Sequence, residues 1–273
     1  MNQQDWLELT DRVCVVTGAA GGIGAAIAEQ ACRVGARVAL LDRDEAAAQT
    51  VAAQLRETGG QAIAIACDAS DADSIARAAQ AVERELGPCT ALVNNAGILR
   101  AGALKDIDID QWNEIIGINL TGYLLTARAF AEPMQKAGGG SMVHIASIAS
   151  RHPQSQSGAY SASKAGILLL SQQIAVEWAE QGIRSNTISP GMIRTKLSAP
   201  FYAVPGIEAA RSAMTASRRV GEPLDIANAA MFLLSPRSAY VNASDVRVDG
   251  GMSAMLMDMV PRPGYNAPAA ATN

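Results

Sequence analysis

The sequence predicts an α/β fold: a single-domain, doubly wound parallel sheet with helices on both faces. Three observations predict it. Short apolar runs alternate with helical patterns of ~10–16 residues, the spacing of βαβ crossovers and hence of parallel strands. The first apolar run, Val13-Cys14-Val15-Val16, opens into a glycine-rich turn, Thr17-Gly18-Ala19-Ala20-Gly21-Gly22-Ile23-Gly24, and an Ala-rich helix follows. Polar or glycine residues close strand after strand: Gly18, Asp42, Asp68, Asn94 and Asn95. In open parallel sheets ligands bind beyond those carboxyl ends.

The elements follow in order. The first helix runs to about Val34 and stops at Gly35. Arg37 to Leu41 is the second strand, ending at Asp42. Glycines let a backbone approach a pyrophosphate, and a helix N-terminus offers it free N–H groups and partial positive charge. Asp42 lies 42 − 24 = 18 positions past the last glycine, near the ~20 expected of an acid that bonds an adenosine ribose. Ala46 to Glu57 reads as a helix, Gln61 to Cys67 as a strand, Asp71 to Leu86 as a helix, and Leu92-Val93 as a strand leading into Asn94-Asn95-Ala96-Gly97. Asp110 to Lys136 reads as one long helix containing Asn119, a residue type that tends to bond locally rather than support a helix interior.

Ser141 to Ala146 is the next strand; it ends at Ser147, and His144 within it reads as structural. The loop Arg151 to Gly158 leads into a helix to about Gly182, apolar on more than one side, which predicts a subunit contact as well as a core. Arg184 to Ile188 is a strand followed by Ser189-Pro190-Gly191. Met192 to Arg219, broken by Pro200 and Pro205, suits a lid. Pro223 to Leu234 is a helix and Ala243 to Val248 the last strand, before Asp249-Gly250-Gly251. One domain over residues 1–260 and a Pro/Ala-rich tail over 261–273 are expected.

Composition sets the bounds. Hydrophobic residues make up 49% and charged residues 18%, enough for a large core. The net charge of -4, without a basic stripe or an aromatic platform, argues against nucleic acid. No apolar run reaches the ~18 residues of a membrane span, and the N-terminus has no secretory pattern. Cys14, Cys32, Cys67 and Cys89 form no C-x-x-C pair and have no histidine cluster beside them, so they read as reduced thiols in a cytoplasmic protein without a metal site.

The remaining motif is Tyr160-Ser161-Ala162-Ser163-Lys164. On a helix Tyr160 and Lys164 share one face, one turn apart. A free phenol ionises near ~10, and an ammonium beside it favours the phenolate. Such a tyrosine can exchange a proton with an alcohol or ketone.

Taken together, Thr17-Gly18-x-x-x-Gly22-Ile23-Gly24, Asn94-Asn95-Ala96-Gly97, Asn119, Ser147, Tyr160-x-x-x-Lys164, Pro190-Gly191 and Asp249-Gly250-Gly251 closely resemble the short-chain dehydrogenase/reductase family over roughly Leu9 to Gly251. The resemblance implies a Rossmann-like fold and a nicotinamide cofactor. It implies Tyr160 as general acid/base, and Lys164 lowering its pKa and bonding the nicotinamide ribose. Ser147 would bond the substrate oxygen, and Asn119 would hold a water in a proton relay to Lys164. Gly18, Gly22, Ile23 and Gly24 would lie at the pyrophosphate and Asp68 at the adenine. Asn95 would face the adenosine ribose or nearby backbone. Gly97, Pro190, Gly191, Ile193 and Thr195 would complete the cofactor site. The family is commonly tetrameric, so a tetramer or dimer is implied.

The reading that follows is an NAD-dependent oxidoreductase of a small secondary alcohol (a polyol, sugar or hydroxy acid) and its ketone. An NADPH-dependent ketone or 3-ketoacyl reductase stays open because Arg43 follows Asp42, and so does a non-catalytic cofactor-binding protein. Leu99, Arg100, Arg151, His152, Gln154 and the segment Met192 to Met214 are the candidate substrate contacts.

Overall fold

The computed structural model describes residues 6–196 and 198–266. The first five residues of the N-terminal reading and the last seven of the predicted tail lie outside them. Seven strands form one parallel sheet in the order β3-β2-β1-β4-β5-β6-β7. They are β1 Val13–Thr17, β2 Arg37–Asp42, β3 Gln61–Ala66, β4 Cys89–Asn94, β5 Gly140–Ile145, β6 Ile183–Pro190 and β7 Asp245–Val248. The chain reverses direction across the sheet between β1 and β4, which opens a crevice at the carboxyl ends of those strands.

Strand periodicity divides the core in two. Cys14, Val16, Val38, Leu40, Ala91 and Val93 point to one face, against helices α1 (Gly22–Arg33), α2 (Glu45–Glu57) and α9 (Pro223–Leu234). Val13, Val15, Ala39, Leu41 and Leu92 point to the other, against α3 (Ala72–Leu86), α5 (Gly122–Lys136) and α6 (Tyr160–Glu177). Both faces are apolar, so the strands read as continuous hydrophobic runs. Helix starts are marked by acid caps: Asp44 accepts from the Ala47 N–H at 3.0 Å, and Asp71 from the Asp73 N–H at 2.9 Å.

Most boundaries shift by a few residues from the sequence reading, and three differences matter for the site. β4 begins at Cys89, because Cys89 and Ala91 are fully buried and pair with β1. The helix expected over Asp110 to Lys136 is α4 (Ile109–Ile116), a π-turn over Gly117–Thr121, and α5. The lid segment holds two short helices, α7 (Ala199–Tyr202) and α8 (Ile207–Ala213).

Candidate active site

The crevice at the carboxyl ends of the strands is a cleft of about 1090 Å³. The sheet delivers Gly18 after β1, Asp42 at the end of β2, Asp68 after β3, Asn95 and Gly97 after β4, Ser147 after β5, and Pro190 and Gly191 at the end of β6. Helix α1 adds Gly22 and Ile23, α6 adds Tyr160 and Lys164, and the lid adds Ile193 and Thr195. All of these line one cavity. Gly24 and Asn119 do not.

Gly24 is buried behind the loop. A Cβ there would collide with the Gly18 carbonyl and stand 2.7 Å from Asn95 Nδ2. Its service is close packing, not contact with a ligand. Asn119 is also fully buried. Its side chain accepts from the Ile98 N–H at 2.8 Å and donates to the Ile98 carbonyl at 2.9 Å and to Ser163 Oγ at 3.2 Å. The amide thereby bonds the loop after β4 and ties Asn119 to the backbone beside Lys164.

The loop after β1 fits a dinucleotide on its own geometry. Gly18 and Gly22 have φ of 64° and 57°, where an L side chain is strained. A side chain on Gly18 would meet the Ala96 backbone at 2.8 Å. The bare loop leads into the N-terminus of α1, whose free amides and dipole suit a pyrophosphate. Asp42 is held in place by two backbone amides: Ala20 N–H donates to Oδ2 at 2.9 Å and Asp44 N–H to Oδ1 at 3.0 Å. Each carboxylate oxygen retains acceptor capacity for a ribose hydroxyl. Asp68 is held below the usual carboxylate range by Ser70, whose N–H and hydroxyl both donate to it; the Arg43 guanidinium adds to this. Asn95 Nδ2 donates to the Thr17 and Gly18 carbonyls, both at 3.0 Å, so its amide stitches the ends of β4 and β1 together.

At the other end of the cleft Ser147 accepts from the Ala149 N–H at 3.1 Å, which fixes its hydroxyl. Tyr160 lines the same end of the cleft, close enough for the Ser147 hydroxyl to favour its phenolate. Tyr160 opens α6, and Lys164 follows one turn later with Nζ 5.7 Å from the Tyr160 ring centre. Nζ donates to the Ile145 carbonyl at 2.8 Å and to Tyr123 Oη at 3.4 Å. Gly97 admits this arrangement, since its Cβ would stand 3.3 Å from Asn119 Oδ1 and 3.6 Å from Nζ.

Burial dominates the electrostatics of the pair. Lys164 is 4% exposed and has no carboxylate beside it among the described residues, so burial drives it down to about 7. Burial also raises the Tyr160 phenol, and the Ser147 hydrogen bond offsets only part of this. In the protein alone, desolvation is the largest influence on both groups.

Sequence reasoning missed Tyr123, which lies four positions past Asn119. Its hydroxyl donates to the Ile145 carbonyl at 3.0 Å, and Lys164 Nζ stands 5.2 Å from its ring centre. It placed Thr17 in the glycine motif without a role; its Oγ1 accepts from the Asn95 N–H at 2.9 Å and the Ala96 N–H at 3.1 Å. Of the substrate candidates, Leu99, His152 and Gln154 line the cleft. Arg100 and Arg151 do not, and each is taken up by an ion pair, with Glu114 at 3.4 Å and Asp245 at 3.1 Å.

Comparison with known proteins agrees with this geometry. A family model described as enoyl-(acyl carrier protein) reductase matches residues 18–253. The chain is 40% identical to D-threitol dehydrogenase of Mycolicibacterium smegmatis, over 89% of this chain and 93% of that one. It is 35% identical to galactitol 2-dehydrogenase (L-tagatose-forming) of Cereibacter sphaeroides, over 92% and 98%. A solved structure from Beutenbergia cavernae superposes with a TM-score of 0.85 at 33% identity, over 90% and 98%. That protein is provisionally assigned as an NAD(P)-dependent gluconate 5-dehydrogenase and carries NADP at low occupancy. The chain therefore belongs to the short-chain dehydrogenase/reductase family, oxidoreductases of CH–OH groups that bind a nicotinamide cofactor.

Proposed function

We propose that the protein is an NAD-preferring dehydrogenase of a small secondary alcohol, with Tyr160 as its general acid/base. The observation that carries the catalytic roles is that Ser147, Tyr160 and buried Lys164 line one cleft, with Lys164 one helical turn after Tyr160. A nicotinamide bound there supplies the chemistry of taking up or returning a hydride. A substrate oxygen is held between the Ser147 and Tyr160 hydroxyls. Tyr160 Oη takes the substrate's hydroxyl proton in oxidation and returns it in reduction. Lys164, driven to about 7, changes charge near neutrality, and its charged form favours the phenolate. It is also placed to bond the nicotinamide ribose. Asn119 is a positioning residue that fixes Gly97 and Ile98 against Lys164.

The preference for NAD rests on Asp42, fixed by two amides where an adenosine ribose would lie. A 2′-phosphate there would meet like charge, and the Gly loop has no basic side chain to offset it. Arg43 is exposed and also lines the cleft, so it is the residue that can soften the preference. The test is kcat/KM for NAD and NADP on wild type and Asp42→Ala. Wild type should prefer NAD by roughly a hundredfold, about 2.8 kcal/mol, and Asp42→Ala should narrow this chiefly by improving NADP use. Equal or better wild-type efficiency with NADP would favour the NADPH-dependent reductase reading.

The same proposal takes the chain as one domain that works as a cytoplasmic homo-oligomer. Leu169 and Val176 on α6 are 67% and 75% exposed, an apolar face that a second subunit would cover. The four thiols are unpaired, as in a reducing compartment.

A further inference from the structure

The lid follows β6, on the far side of the sheet's switch point from β2 and Asp42. It therefore covers the end of the cleft where Ser147 and Tyr160 stand, and it contributes Phe201, Tyr202 and Arg211 to the cavity wall. Arg211, half-buried on α8, lies with its guanidinium carbon 4.8 Å from the Phe201 ring centre and 4.9 Å from that of Tyr202. Stacking on ring faces leaves the edge N–H groups of a guanidinium free, and that planar fork matches a carboxylate in two parallel bonds.

No carboxylate of the protein takes up this fork among the described residues. Glu114, which also lines the cleft, pairs with Arg100, while Glu208 and Glu222 both pair with Arg194. A second observation points the same way. The Tyr202 hydroxyl is buried and has no hydrogen-bond partner among the described residues. A buried hydroxyl without a partner is costly, and Tyr202 lies with its ring against Arg211 in the cavity wall, so an anion seated on Arg211 would offer that hydroxyl an acceptor.

We propose that Arg211, assisted by the Tyr202 hydroxyl, binds a carboxylate carried by the substrate, so that the enzyme's preferred alcohols are hydroxy acids rather than neutral polyols. This rests on the dehydrogenase reading above. One end of the substrate is anchored on the lid by its carboxylate. The reacting CH–OH then meets Ser147 and Tyr160 at the cleft floor.

The experiment compares matched pairs that differ only in a carboxylate against a hydroxymethyl group: D-threonate with D-threitol, and D-gluconate with D-glucitol. kcat/KM and the KM for NAD are measured on wild type, Arg211→Met and Arg211→Lys, with Tm as a check on folding. Wild type should favour an acid over its polyol, and Arg211→Met should lower that ratio at least tenfold, mainly through KM of the acid. Arg211→Lys, which keeps the charge without the fork, should lie between. A wild type that uses polyols but neither acid overturns the proposal, as does a ratio unchanged in Arg211→Met. Equal losses with acid and polyol together with a raised KM for NAD would also overturn it, placing the anion on the cofactor's phosphates. Absence of turnover with every alcohol would count against the dehydrogenase reading alone. Calorimetric binding of D-threonate and D-gluconate to the NAD-loaded protein then decides the role of Arg211: binding abolished in Arg211→Met supports it, and no binding of either acid to wild type overturns it.

Discussion

Lys164 and His144 are both buried bases, and the contrast between them shows how local partners decide what burial does. Lys164 faces the cleft and a carbonyl, so its proton can be exchanged near neutrality. His144 lies inside β5 and is driven down to about 3 by burial. Its Nδ1 lies 3.1 Å from Asn94 Nδ2, which also donates to the Tyr123 carbonyl, so Nδ1 must be the acceptor. Nε2 then carries the hydrogen and donates to Ser185 Oγ at 3.1 Å. A second ring proton would face the Asn94 amide hydrogens. The unfolded histidine titrates near ~6.5, so the unfolded chain binds more protons than the folded one between there and about 3. Stability present above pH ~6.5 is therefore lost as pH falls, by about 3 kcal/mol near pH ~4.5. Urea unfolding of wild type and His144→Gln across this range should show the wild type losing stability faster toward acid. A difference independent of pH would contradict the assignment.

The π-turn is where an element does what no single residue could. An extra residue in the turn over Gly117–Thr121 breaks the regular ladder between α4 and α5 and directs Asn119 inward to the Ile98 backbone. The sequence reading joined α4 and α5 because apolar spacing continues through the turn, and a π-turn has no composition of its own. The clue that was present, an Asn inside a helical pattern, identified the residue but not its partner, because Ile98 is distant in sequence. Replacing Asn119 with Ala leaves the Ile98 N–H and carbonyl without their side-chain partner in a partly buried loop on the cleft, at a cost of about 1–3 kcal/mol. The expected result is a lowered Tm together with a tenfold or greater fall in kcat, since Gly97 and Ile98 floor the Lys164 site. A variant with wild-type Tm and kcat would remove Asn119 from its positioning role. The lid was legible only as an interruption, since two prolines mark where regular structure fails but not that Phe201, Tyr202 and Arg211 meet on the cleft.

Across the whole molecule the sheet order collects residues spread from Gly18 to Arg211 into one crevice. That much was legible in the sequence, because strand ends and crossovers are local patterns and a parallel sheet must place those ends on one side. What was not legible were the long-range commitments of side chains. Asn119 spends its amide on the Ile98 backbone, Gly24 makes room for packing, and Lys164 loses its charge preference through burial. The central claim is that Tyr160 moves the proton while the rest of the crevice holds the reactants. Its most direct test is the single-turnover rate of alcohol oxidation by wild type and Tyr160→Phe, with NAD affinity measured on both. The account predicts a loss of roughly 10²–10⁴-fold in rate, with the NAD Kd within about twofold because only the phenol oxygen is removed. A Tyr160→Phe enzyme that keeps more than about a tenth of the wild-type rate, an order of magnitude outside that range, would contradict it.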